Sequence, residues 1–248
     1  MSAPELEEGV APADPALVAR TEFLGSLAHD MRSPLGVVSQ ALAELRSDFA
    51  SQLTDEHRLL ISLADRGLGR LGRIAEMITL AASLDAGSLE LRRQPIDLGA
   101  LVRSAADAAT SIETRRGVEL ACELPAEACP IHADVNRLTR AVAEVVINGL
   151  RHARSRARVR LERLGDDTAR IVIEDDGHGV PADRRDSLFR RFVPRPSRSG
   201  LGLGLSIAHD VLAAHGGGIL LEGSTLPPGR PGTQGARFVL SLPLHATS

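Results

Sequence analysis

The sequence predicts a protein in two parts: a helical hairpin that pairs with a second copy into a dimeric four-helix bundle, followed by a mixed α/β sandwich. Three observations lead there. Leu27, Met31, Leu35, Val38, Leu42, Leu45 and Phe49 are spaced four, four, three, four, three and four residues apart, the heptad rhythm of a packed helix. A second stripe (Leu60, Leu63, Gly67, Leu71, Ile74, Ile78 and Ala81) follows after a short turn. From Leu89 onward, short alternating strand patterns interleave with shorter helices.

Taken in order, residues 1–15 are acidic and rich in Ala and Pro, the composition of a disordered tail. The first helix should run from near Pro15 to about Phe49. Thr54 followed by Asp55 and Glu56 makes a helix start with acids in its first turn, where the helix dipole favours them. The second helix should end near Leu84, before Asp85-Ala86-Gly87-Ser88. A two-helix hairpin cannot bury a two-sided stripe alone, so a homodimer through residues 16–86 is expected, with the hairpin domain spanning 16–88. The rival arrangement packs the hairpin on the chain's own C-terminal domain.

Residues 89–248 form the second domain. Its expected elements begin with a strand at Leu89–Arg92, a helix capped by Asp97 and running through Ala109, and a strand within Gly117–Leu124. A helix from Asp134 to about Arg154 follows, then a hairpin of Arg158–Leu164 and Ala169–Glu174 around Gly165-Asp166-Asp167. A helix over Gly204–Ala214 and closing strands at Ile219–Glu222 and Ala236–Leu242 complete it, with Leu226–Gly232 as the loop between those strands.

Composition bounds the function. The chain has 248 residues, 43% of them hydrophobic, and a net charge of -3, so no basic balance points to nucleic acid. It has no Trp and no Tyr, which argues against stacking on exposed bases or sugars. The apolar runs are too short to span a bilayer and the acidic N-terminus is unlike a signal peptide, so no membrane segment and a cytoplasmic location are expected. Cys122 and Cys129 lack metal-ligand company; reduced thiols are the default, and a bridge between them stays open.

Four stretches carry chemistry. His29 lies two residues before Met31, about 160° around the helix from the apolar stripe, so it should face water, with Asp30 beside it to accept an imidazole proton. Alone, this would be a solvated surface histidine. Pro34, five residues on, removes a backbone hydrogen bond at a cost of about 3 kcal/mol. Glu144, Asn148 and Arg151 share a helix face; an amide oxygen suits Mg²⁺ and a guanidinium suits phosphate, against the plainer reading of a solvated polar face. Asp175-Asp176-Gly177-His178-Gly179 lets backbone approach a planar ligand while a carboxylate accepts from an amino group; a simple turn is the plainer reading. Gly200-Leu201-Gly202-Leu203-Gly204 opens a helix with bare N–H groups suited to phosphate. It follows no strand and lacks Gly-Lys-Ser/Thr, so neither a dinucleotide-binding nor a Walker reading fits.

His29-Asp30-Met31-Arg32-Ser33-Pro34-Leu35 resembles the phospho-acceptor box of two-component sensor histidine kinases. In order, the four stretches resemble that family's H, N, G1 and G2 boxes. Leu188-Phe189-Arg190-Arg191-Phe192 stands at the F box, and Pro95–Leu98 and Asp134–Leu138 resemble the approaches to the ATP-binding domain and the N box. The resemblance covers residues 16–244. It implies an ATP-dependent kinase that phosphorylates His29, with Asp30 as the base and Ser33 beside it, and then passes the phosphoryl group to an aspartate on the receiver domain of a response regulator. It further implies Mg²⁺ held by Asn148 with Glu144, and phosphates met by Arg151, His152 and Arg191, with Arg195 or Arg198 as further lid arginines. Asp175 would bind the adenine amino group, Gly177 and Gly179 the adenine side of the pocket, and Gly200, Gly202, Leu203 and Gly204 the phosphate side. Residues 180–199 would form the lid.

The chain also departs from the family. Glu144 stands where Asn is usual, as in the related gyrase and Hsp90 ATPases. Ser33 replaces a Thr or Asn, and Gly149 replaces an Ala at about 1 kcal/mol of helix propensity. Two rival functions follow: a catalytically weak dimeric nucleotide-binding scaffold, or an ATPase using Glu144. No sensor domain is recognisable, so either a separate sensor protein supplies the signal or the chain is the catalytic part of something longer.

Overall fold

The computed structural model describes residues 15–86, 89–113, 117–191, 202–229 and 232–244, without the side chains of residues 15–22, Leu24 and His29. The chain divides into two compact units, Met1–Leu89 and Glu90–Ser248.

The first unit is the hairpin of α1 (Pro15–Asp48) and α2 (Asp55–Asp85). α1 stays helical through Pro34. Thr54 caps α2 as its position suggests: its hydroxyl accepts the His57 N–H at 3.2 Å, and the His57 ring accepts the Thr54 N–H in return. The expected stop at Gly87 and Ser88 lies outside the described residues. Arg32 donates to the Thr79 hydroxyl at 2.9 Å and Arg46 pairs with Asp65, which ties the helices antiparallel. Met31, Leu35 and Leu42 of the stripe are half-buried, whereas Leu27, Val38, Leu45 and Phe49 stay more than two-fifths exposed. Leu60, Leu63 and Leu71 of α2 are likewise exposed. One hairpin therefore covers only part of its own apolar surface.

The second unit is a two-layer sandwich. Its elements are β1 (Gln94–Asp97), α3 (Leu98–Ile112), β2 (Glu119–Glu123), β3 (Pro130–Ala133), α4 (Val135–His152), β4 (Arg156–Leu164), β5 (Thr168–Asp175), α5 (Ala182–Arg185), α6 (Gly204–Ala214), β6 (Gly218–Gly223) and β7 (Ala236–Pro243). Five strands form one sheet in the order β2-β4-β5-β7-β6, with β2 parallel to β4 and the other pairs antiparallel. β1 and β3 make a separate antiparallel ribbon. α4 packs on β4 and β5 between α3 and α6. Alternation along the strands puts Val159, Leu161, Ile171, Ile173, Phe238 and Leu240 on one sheet face, buried with Val102, Leu138, Val142 and Ile207 of the helices. Gly149 is explained by this packing: a Cβ there would sit 3.3 Å from Ile173 Cγ2, so the residue that weakens the helix also lets α4 lie close on the sheet.

Most predicted elements stand where the sequence put them, and Asp97 and Asp134 cap α3 and α4 with their side chains. The strand expected at Leu89–Arg92 does not form. The Arg92 N–H is taken by the Asp134 carboxylate at 3.0 Å, and pairing begins only at Gln94, opposite Ala133. β3 and α5 were not expected; each is four residues long, too short to show a period. Both cysteines are free thiols, Cys122 exposed and Cys129 buried.

One buried imidazole locks the helix layer. His215, just past α6, accepts the Asp134 N–H on Nε2 at 3.1 Å and donates from Nδ1 to the Val211 carbonyl at 2.7 Å. Burial holds its pKa below the ordinary 6.5. The neutral ring therefore adds stability above about pH 6.5, and that stability is lost as acid protonates the unfolded chain first. His215→Ala should cost about 1–3 kcal/mol at pH 8. In denaturant titrations the gap to the unsubstituted chain should narrow as pH falls below about 6.5.

Candidate functional site

The candidate site is built on the end of β5, where Glu174, Asp175 and Asp176 follow one another, each with at most 1% of its surface exposed. Three adjacent buried carboxylates would repel one another and lose hydration unless each found donors. Asp176 finds most. Its oxygens accept from the amides of Arg154, Ser155 and Arg156 at 2.8–3.1 Å and from the Ser155 hydroxyl at 2.6 Å. Burial alone would raise its pKa, but the Ser155 hydroxyl and these amides hold it down at about 2. It staples the α4–β4 connection to the end of β5.

Strand alternation sends Glu174 to the sheet face opposite Asp175. Glu174 accepts from the Thr225 amide at 2.9 Å, the Thr225 hydroxyl at 2.8 Å and Arg158 Nη2 at 2.6 Å. Burial would raise its pKa; the Thr225 amide, Arg158 and the Thr225 hydroxyl outweigh it and keep it low.

Asp175 is the exception. Its Oδ1 accepts from the Gly177 amide at 2.9 Å and, at 3.4 Å, from the Ala236 amide. Its Oδ2 is buried with no hydrogen-bond partner among the described residues. Burial, opposed by those two amides and reinforced by Asp176 and Glu174, pushes its pKa up to about 6. An orphaned, buried acceptor oxygen is what a carboxylate reserved for an external N–H donor looks like.

Glycines close the surroundings. A Cβ at Gly177 would lie 2.2 Å from the His152 carbonyl oxygen, so only glycine lets the Asp175–Gly179 turn meet the end of α4. Gly179, at φ 73°, lies similarly against the Gln234 carbonyl, 2.1 Å from a built Cβ. Gly202 has φ 71°, a left-handed conformation that precedes α6. Leu203, at the N-cap of α6, gives no side-chain cap, so any ligand contact from it comes from the backbone; its side chain is in the core at 1% exposure.

Of the expected residues of α4, Glu144 lies beside this helix start. Glu144, Asn148 and Arg151 are all half-buried, and His152 is exposed. A Cβ on Gly204 would lie 2.6 Å from Glu144 Oε2, so the carboxylate lies against the first turn of α6. Arg151 is engaged by Glu113 at 3.2 Å, and Arg191 by Asp210 of α6. Two of the three expected phosphate contacts, Arg151 and Arg191, are therefore held by acids. Phe189, of the Leu188–Phe192 stretch, stacks on the His209 ring with centroids 5.5 Å apart. Gly200, Arg195 and Arg198, with the rest of 192–201, lie outside the described residues.

In the other unit, His29 falls within α1, its side chain outside those described, so the expectation that it faces water lies there too. Asp30 and Ser33 are exposed. The sequence reading missed the roles of Asp176, Glu174 and Thr225. The three-acid run was the available signal. Among the described residues no helix is long and apolar enough to cross a membrane.

Comparison with known proteins finds two families in succession along the chain. The His Kinase A (phospho-acceptor) domain family matches residues 19–87, and the histidine kinase-, DNA gyrase B- and HSP90-like ATPase family matches residues 133–246. The chain is 27% identical over 227 residues to the alginate biosynthesis sensor protein KinB of Pseudomonas aeruginosa, covering 91% of this chain and 37% of KinB. It is 30% identical over 228 residues to the sensor histidine kinase MtrB of Mycobacterium tuberculosis, covering 90% of this chain and 39% of MtrB. The chain thus spans well under half the length of these relatives. Among solved structures, full-length ShkA in complex with AMPPNP superposes with a TM-score of 0.67 at 26% identity, over 90% of this chain and 45% of ShkA. The mycobacterial sensor histidine kinase MprB gives 0.54 at 26% identity, over 60% of this chain and 97% of that one.

The buried Asp175 makes a stability forecast. Its raised pKa means the folded state holds a proton that the unfolded chain has released, so its favourable contribution fades as pH rises from about 4 through about 6. Asp175→Asn removes the cost of the buried charge. The variant should be more stable than the unsubstituted chain by about 1–3 kcal/mol at pH 8. Thermal melts should show that advantage shrinking below about pH 6.

Proposed function

The chain belongs to the two-component sensor histidine kinase family, and on that premise we propose that it is an ATP-dependent protein histidine kinase. The observation that carries the nucleotide reading is the unpartnered Asp175 Oδ2, buried beside glycine-closed backbone. An adenine amino group supplies the missing N–H donor. ShkA, a structural relative, was solved with AMPPNP, which supports an adenine nucleotide here.

In this reading the uncapped start of α6, with Gly202, Leu203, Gly204 and Gly200, receives the phosphates. Arg151, His152 and Arg191 contribute cationic or hydrogen-bonding groups. Gly177 and Gly179 shape the adenine side. Asn148 and Glu144 fit Mg²⁺: they offer an amide and a carboxylate oxygen one turn apart on α4, and Mg²⁺ takes few protein ligands besides phosphate and water. The ion, when bound, neutralises phosphate charge.

A ring nitrogen of His29 attacks the γ-phosphorus with its lone pair. The bond from that phosphorus to the β,γ-bridging oxygen breaks, and ADP leaves with the electron pair. Asp30 orients the imidazole or takes its proton, with Ser33 at the next helical turn. The phosphoryl group then passes to an aspartate carboxylate on the receiver domain of a response regulator. The exposed leucines of α1 and α2 support a homodimer through residues 16–86. We assign residues 1–15 to a tail, 16–88 to the dimerisation and phosphotransfer hairpin and 89–248 to the catalytic domain, acting in the cytoplasm on a signal that a separate sensor protein can supply.

Incubation with Mg²⁺ and γ-labelled ATP tests this directly. The full chain should acquire acid-labile, alkali-stable label, and His29→Ala should acquire none. Nucleotide binding without label would favour the scaffold. Equal release of free phosphate by both proteins would favour the ATPase, with Glu144 next to be changed.

A further inference from the structure

We infer that Glu174, Thr225 and Arg158 form a clasp that positions Asp175 for the base, which makes Glu174 and Thr225 positioning residues for adenine recognition. The inference rests on the adenine reading of Asp175.

The path runs through the β6–β7 connection. It leaves the sheet after Gly223 and returns at Ala236. Its outgoing arm is pinned at Thr225, whose amide and hydroxyl both bind Glu174 Oε1. Arg158 closes the triangle, donating to Glu174 Oε2 at 2.6 Å and to the Thr225 hydroxyl at 3.2 Å. The Ser224 N–H then donates to the Gly235 carbonyl at 3.1 Å, which ties the outgoing arm to the returning one. The returning arm touches Asp175 twice. Gly235 lies so close that a Cβ on it would be 1.7 Å from the Asp175 carbonyl oxygen. The Ala236 amide reaches Asp175 Oδ1 at 3.4 Å, near the limit of a hydrogen bond. A small shift of this arm therefore loses that contact and lets the carboxylate turn. The Gly229 amide adds a third tie, to the Asp176 carbonyl at 3.2 Å.

Glu174 itself cannot reach the base, because strand alternation sends its side chain to the opposite face from Asp175. Its buried charge is matched to the loop rather than to a ligand. Held in place, the loop fixes the aim of Oδ2 before the nucleotide arrives, which spares the cost of ordering it on binding.

The test compares ADP with inosine diphosphate, which carries an oxo group where adenine has its amino group. Calorimetric titration would use the full chain, Thr225→Val and Thr225→Ser. Thr225 is exposed and Val is close in shape, so the variant should fold; a melt checks this. The unsubstituted chain should prefer ADP. Thr225→Val should weaken ADP binding about 2- to 10-fold, the worth of one net hydrogen bond, and leave inosine diphosphate unchanged. Thr225→Ser should restore ADP affinity. Equal loss for both nucleotides, or no loss, overturns the clasp while leaving the adenine reading standing. An unsubstituted chain that does not distinguish the two nucleotides overturns the adenine reading, and the clasp with it.

Discussion

The candidate site depends on how three consecutive carboxylates are kept buried at the end of β5. A buried charge is tolerated only when donors replace its water. Asp176 receives amides from the chain leaving α4, and Glu174 receives a threonine and an arginine from other strands and loops. Both are spent on structure. Between them Asp175 keeps one oxygen without a donor among the described residues. The same strand end thus holds two anchors and one acceptor suited to an N–H group, and the anchors determine where that acceptor points.

That arrangement has a cost which is informative. A well-packed protein without a ligand to bind would gain stability by giving Asp175 Oδ2 a donor or by replacing the residue. Among the described residues Oδ2 has no such donor, although Ser224, Thr225 and Gln234 lie on the β6–β7 connection. The glycines follow the same logic. At Gly177, Gly179 and Gly235 a side chain would collide with backbone oxygen, so the segments that surround Asp175 meet backbone to backbone. Such contacts are hard to displace, because a carbonyl cannot swing away as a side-chain tip can.

Much of this was legible in the sequence. The long stripes marked α1 and α2, and Asp97 and Asp134 marked helix starts because their side chains cap them. Asp175, Gly177 and Gly179 could be picked out because Asp-x-Gly-x-Gly is a pattern of five consecutive residues, although the backbone they meet is distant in the chain. The β1–β3 ribbon could not be read: its strands are four residues long and pair across more than thirty residues of chain. The roles of Glu174 and Thr225 were invisible for the same reason, since 51 residues separate them and neither looks unusual locally. Hydrogen bonds between distant segments leave no period. The engagement of Arg151 and Arg191 by acids was equally hidden, because Glu113 and Asp210 lie 38 and 19 residues away from them in the chain.

Those two arginines bear on how phosphate would be met. Arg151 lies on Glu113 and Arg191 on Asp210, pairs that are neither fully buried nor fully exposed. Partly exposed ion pairs are worth little, commonly about 0–1 kcal/mol. A nucleotide phosphate carries more charge and more acceptor oxygens than a carboxylate, so exchanging one partner for the other need not desolvate a bare guanidinium. Parking each arginine on a nearby acid keeps it ordered and close to α4 or α6 without committing much free energy. The carboxylate released by such an exchange would be left facing solvent, which is inexpensive for a half-exposed group and would be costly for one buried as Glu174 is. The contrast separates the paired acids of this domain by burial: Glu174 and Asp176 at the end of β5 hold the fold, and Glu113 and Asp210 at its margins can give up their partners.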